Sequence, residues 1–78
     1  MMTIKKEVNN MAINYPKAIV MLRSKLNLSQ EEFGKLIGVS LISVSRWERG
    51  EFEPTKIVKV RIDELLKKHH IETSEVNE

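Results

Sequence analysis

The sequence predicts an all-α chain, four helices in one compact domain, and three observations carry that prediction. Apolar residues recur at three- and four-residue steps in four separate stretches, the spacing that gathers side chains on one helical face. Each stretch is preceded by a residue that can cap a helix: Asn14 or Tyr15, then Ser29, Ser40 and Thr55. Breakers lie between them, with Asn27, Gly38 and Glu53-Pro54 where one helix must stop before the next begins.

The first helix opens at Asn14-Tyr15-Pro16, because proline is tolerated in a first turn, where its missing N–H has no intrahelical partner. Ile19, Leu22 and Leu26 form its inward stripe with Ala18 beside them, and Asn27 closes it. Leu28 then serves as an apolar staple ahead of Ser29, whose hydroxyl and the Glu32 carboxylate can cap each other's amides. Phe33, Leu36 and Ile37 are expected to face inward. Gly38 follows at once, where a left-handed backbone ends the helix without a Cβ clash, and Ser40 caps the next one. The turn is therefore about three residues long, as a helix-turn-helix requires. Gly34 costs its helix about 1 kcal/mol relative to alanine, so a close approach of the second helix is the expected reason for it. Val44 and Trp47 face inward at a three-residue step, leaving Leu41, Ile42, Ser45, Arg46 and Arg49 on other faces. The last helix runs from Thr55 to about His69 with Val58, Ile62, Leu65 and Leu66 inward. Ile57 and Val60, on a neighbouring face, either complete the core or stay exposed as half of a homodimer contact.

The chain divides into a flexible N-terminal arm over 1–13, where apolar residues keep no helical period, a domain over 14–70, and a polar, acidic, flexible tail over 71–78. A chain of 78 residues buries only about 60% of its unfolded surface. Cysteine is absent, so neither a disulfide framework nor a thiolate metal site can supplement the core. No apolar run approaches the ~18 residues that span a bilayer, and the N-terminus lacks the apolar core of a secretory signal, so a cytoplasmic protein with no membrane association is expected. The formal net charge is +2, but its placement says more than its sum. Residues 1–28 carry Lys5, Lys6, Lys17, Arg23 and Lys25 against Glu7 alone; residues 29–54 are slightly acidic; residues 55–78 balance. Attraction for phosphate must then come from Arg46, Arg49, the N-terminal segment and the start of the last helix.

Gln30, Gly34, Gly38, Val44 and Trp47, within QEEFGKLIGVSLISVSRWE and flanked by LRSKLNLSQEEF and GEFEP, together resemble the helix-turn-helix of the phage repressor and Cro (XRE-like, Cro/C1-type) family. That resemblance implies a lambda-repressor-like DNA-binding domain and a transcription regulator, with double-stranded DNA as partner and Ser40 to Arg49 as the reading segment. It also implies that Arg23 pairs with Glu48 to lock the first helix against the third, and that Gln30 bonds a phosphate. An α-helix fits the major groove, and the start of a recognition helix faces the base edges. By register the base-reading candidates are Leu41, Ile42, Ser43 and Arg46. Arg46 can donate two parallel hydrogen bonds to guanine O6 and N7; the alternatives for it are a phosphate clamp or an ion pair with Glu31 or Glu32. Leu41 and Ile42 stand where relatives often carry polar readers, and exposed there they would pack against thymine methyl groups; otherwise Leu41 belongs to the core. Gln30, Ser40, Ser45, Arg49, Lys56 and Lys59 are the backbone-contact candidates. Glu51 and Glu53 stand where relatives often have basic residues and should repel phosphate locally.

A two-fold homodimer acting as a repressor is the expected form. Many relatives dimerise through a fifth helix, and no periodic segment follows Lys68 to build one, which leaves the fourth helix, the loop before it or the termini. Enzymatic readings find no support: His69 and His70 are adjacent and point to different sides of a helix, and no phosphate loop, nucleophile elbow or paired carboxylate set appears. No catalytic residue, metal or cofactor is expected. The rival reading is an antitoxin-like or regulatory module on the same fold, binding a protein partner through Leu41 and Ile42.

Overall fold

The computed structural model describes residues 13–72 and has four helices, α1 (Tyr15–Leu26), α2 (Gln30–Ile37), α3 (Leu41–Glu48) and α4 (Lys56–Lys68). Apart from Ile13, Ile71 and Glu72, the expected arm and tail lie outside the described residues.

Local chemistry sets the helix ends. The Asn14 side chain accepts from the Lys17 amide at 3.1 Å, and Asn27 closes α1 in the left-handed region with φ 58°. Ser29 and Glu32 form the reciprocal capping box at 3.0 and 2.8 Å. The Ser29 amide, and then its hydroxyl, hold the Glu32 carboxyl below the usual carboxylate range. Gly38 ends α2 at φ 84°, and the Ser40 and Thr55 hydroxyls accept from the Ser43 and Val58 amides to start α3 and α4.

The core gathers Ala18, Ile19 and Leu22 from α1, Phe33 and Ile37 from α2, Val44 and Trp47 from α3, and Val58, Ile62 and Leu66 from α4. α2 packs on α3, while α1 spans both α3 and α4. Polar ties reinforce this. Arg61 of α4 donates through Nη1 to the Ile37 carbonyl at 2.6 Å, satisfying one of the carbonyls left over at the end of α2. Tyr15 of α1 donates its hydroxyl to Asp63 of α4 at 3.2 Å; burial first, and then the Asp63 carboxylate, push its pKa up to about 12.

The structure departs from the sequence reading at several points. Leu36, expected inward, is 52% exposed, because the eight-residue α2 turns Phe33, Gly34 and Ile37 to the core and carries Leu36 past its edge. Leu26 and Leu65 are half-buried. Ile71, assigned to the tail, is buried: His70 adopts φ 60°, the Ile71 amide donates to the Leu66 carbonyl at 2.8 Å, and the side chain turns back into the core. Ile13, assigned to the arm, packs half-buried on the same core. Ile57 and Val60 are exposed and contribute nothing to it. Gly34 is needed for a close approach, but of the turn and not of the second helix itself. A Cβ there would stand 2.6 Å from the Val39 carbonyl oxygen, and the Gly38 and Val39 amides both donate to the Gly34 carbonyl at 2.8 Å.

Candidate nucleic-acid interface

The helix α3 is rooted by one side. Val44 and Trp47 are buried, so the opposite side faces solvent, with Leu41 45% and Ile42 62% exposed and Arg46 exposed one turn further on. Leu41 is therefore outside the core, the position left open by its sequence. Ser40 and Ser43 share the start of the helix, their hydroxyls 3.3 Å apart, with Ser40 held to its capping role by the Ser43 amide.

The chain's four arginines divide by what they hold. Arg23 reaches from α1 to the end of α3: its Nη1 lies 3.0 and 2.9 Å from the two Glu48 oxygens, while its Nε donates to the Leu28 carbonyl at 3.2 Å. Gln30 donates from its side-chain amide to the same Glu48 carboxylate at 2.9 Å. One carboxylate thus ties together α1, α2 and α3, with the Arg23 and Glu48 side chains only 25% and 10% exposed. Arg49 donates to Glu51 from Nε at 2.8 Å and to the Ser45 hydroxyl from Nη1. That pairing holds the Glu51 carboxyl below, and the Arg49 guanidinium above, their ordinary ranges. Arg61 caps α2. Arg46 differs from the other three. Its guanidinium sits over the face of Phe52, 5.4 Å from the ring centroid, and among the described residues it makes no hydrogen bond. Neither Glu31 nor Glu32 takes it as an ion-pair partner.

The other backbone-contact candidates are spread. Lys56, the first residue of α4, is exposed. Lys59 bonds Glu53 at 2.9 Å and lies 5.2 Å over the Tyr15 ring, an internal engagement that sets it apart from α3. Gln30 has its side chain turned to Glu48 and leaves only its backbone amide at the open start of α2. Phe52 is the residue that sequence reasoning missed. It is 57% exposed in a non-helical segment, and its only signal is its place after Gly50, whose φ of 75° turns the chain back beside α3.

A capped helix, a three-residue turn closed by a left-handed glycine, and a second helix rooted by two residues with its far side open define a helix-turn-helix domain of the phage repressor and Cro (XRE-like) type. A family model described as the antitoxin component of a bacterial toxin-antitoxin system, MqsA, matches residues 1–77, and the chain belongs to that family. It is 50% identical over 32 residues to the repressor protein C2 of Salmonella phage P22, covering 41% of this chain and 15% of the relative. It is 38% identical over 52 residues to an uncharacterized HTH-type transcriptional regulator of Haemophilus influenzae, covering 67% and 21% respectively. A second uncharacterized HTH-type transcriptional regulator, from Methanothermobacter thermautotrophicus, is 36% identical over 50 residues, covering 64% of this chain and 72% of the relative. The chain thus spans about a fifth or less of the first two relatives' length. No solved structure matches it significantly. Among the described residues, no helix is long and apolar enough to cross a membrane.

Proposed function

We propose that this chain is a sequence-specific DNA-binding regulator of transcription, a repressor that occupies its operator in the cytoplasm as a two-fold dimer across half-sites roughly one helical turn apart. The observation that carries the reading is the open side of α3, where Arg46 keeps all its guanidinium donors free beside two exposed apolar residues. In this reading Arg46 donates to guanine O6 and N7, Leu41 and Ile42 lie against thymine methyl groups, and Ser43 touches an adjacent base. Ser40, Ser45, Arg49, Lys56 and the Gln30 amide position the helix on the phosphates, as amides at a helix start favour an anion. Lys59 flanks the groove once released from Glu53. The names of the relatives, a phage repressor and two transcriptional regulators, support the same class.

Binding-site selection with the purified protein tests this. The expected result is a two-fold site with T steps near a G, and the Arg46→Ala protein should relax preference at the guanine alone, losing about 1–3 kcal/mol of discrimination. An unchanged preference removes Arg46 as a reader.

The family match favours a second reading, an antitoxin module whose main surface binds a protein through Leu41 and Ile42. Salt separates the two. DNA binding falls steeply as salt rises because each neutralised phosphate releases counterions, whereas an apolar protein contact persists.

A further inference from the structure

The contact between Arg46 and Phe52 extends the reading above. A guanidinium can be held in place in two ways. An ion pair occupies its N–H edges, as Glu51 does to Arg49 and Glu48 to Arg23. An aromatic face attracts the cation through the ring quadrupole and leaves the N–H donors unoccupied. Glu51 is close enough for the Arg46 charge to act on it, yet Arg49 takes the Glu51 carboxylate and Arg46 lies over Phe52. The ring is not there to fill the core, since it is 57% exposed and absent from the buried cluster. Gly50, in the left-handed region with nothing within 4 Å of where its Cβ would be, turns the chain so that Phe52 stands beside an arginine six positions earlier.

We propose that Phe52 is a positioning residue for base recognition: its ring restrains the long Arg46 side chain, lowering the entropy lost when both N–H edges engage one guanine. This rests on the DNA-binding reading and adds a specificity determinant outside the recognition helix. Phe52 itself makes no base contact in the proposal; it acts through Arg46. Holding the side chain before binding improves affinity because fewer rotamers are lost on association.

The test uses the full chain with the duplex obtained by site selection. Phe52→Ala and Phe52→Leu, the second keeping bulk but no π face, should each weaken binding roughly two- to fivefold, the range that an exposed cation–π contact supports. The loss should appear only while the guanine is present, and Phe52→Ala should have no further effect in an Arg46→Ala background. Phe52→Tyr and Phe52→Trp should restore wild-type affinity. Thermal unfolding should be unchanged in all four. In the free protein, ring-current shifts of the Arg46 side-chain protons should vanish in Phe52→Leu and persist in Phe52→Tyr. Wild-type affinity and guanine preference in Phe52→Leu, with Arg46→Ala impaired, overturn the role of Phe52 while leaving the DNA reading intact. A wild-type protein that shows the ring-current shifts but selects no duplex overturns the DNA reading, and this inference with it.

Discussion

The Glu48 carboxylate is the polar centre of the domain, since it receives Arg23 from α1 and Gln30 from α2 while sitting at the end of α3. Removing Arg23 leaves a mostly buried carboxylate short of its cationic partner, and Arg23→Ala should cost ~1.5–3 kcal/mol in chemical denaturation. The double variant Arg23→Ala, Glu48→Ala should recover part of that loss, because no uncompensated charge remains. Additive losses in that cycle would show the two side chains to be independent. Residues whose roles depend on their neighbours in sequence were legible: Ser29, Gly38, Ser40 and Thr55 cap or end helices through groups at most four positions away. Gln30 was less so. The family resemblance assigns it to phosphate, but its side-chain amide holds Glu48 eighteen residues on, a pairing without a local signature. Phe52 was illegible for the same reason. A lone aromatic between acidic residues has no period, and only the turn at Gly50 brings it to Arg46.

At the scale of elements, the turn between α2 and α3 depends on Gly34 more than on helix propensity. Alanine there gains about 1 kcal/mol of propensity, yet its Cβ would meet the Val39 carbonyl oxygen at 2.6 Å, a backbone atom with no rotamer to escape into. Overpacking of that kind costs about 1–3 kcal/mol, so Gly34→Ala should lower the unfolding midpoint. A raised midpoint would mean that the turn shifts freely. Helix positions were readable from apolar spacing, and the four helices stand where it puts them. Their inward faces were less readable in α2, because two turns allow either Leu36 or Ile37 to extend the Phe33 face, and packing on α3 selects Ile37. Ile71 escaped a periodic reading because it follows the helix and enters the core through the left-handed turn at His70.

Taken whole, the molecule opposes its own attraction to DNA. Arg49 is paired to Glu51 and Lys59 to Glu53, so two of the expected phosphate contacts are neutralised in the free protein. Exposed pairs of this kind are worth about 0.2–1 kcal/mol. Replacing both carboxylates, Glu51→Gln with Glu53→Gln, should therefore tighten binding roughly two- to fivefold at low salt and steepen the salt dependence by about one charge for each phosphate gained. Weaker binding would show that those carboxylates order Arg49 and Lys59 for contact instead. The exposed Ile57 and Val60 leave one face of α4 apolar, and the dimer the operator reading requires has that face, the preceding loop or the termini to use. The central claim is that the solvent side of α3 meets the duplex, and mapping amide chemical-shift changes across the full chain during titration with the selected operator tests it most directly. The account predicts the largest shifts from Ser40 to Phe52 and at the Gln30 amide. Shifts confined to the Ile57 and Val60 face, or none at low salt, would contradict it.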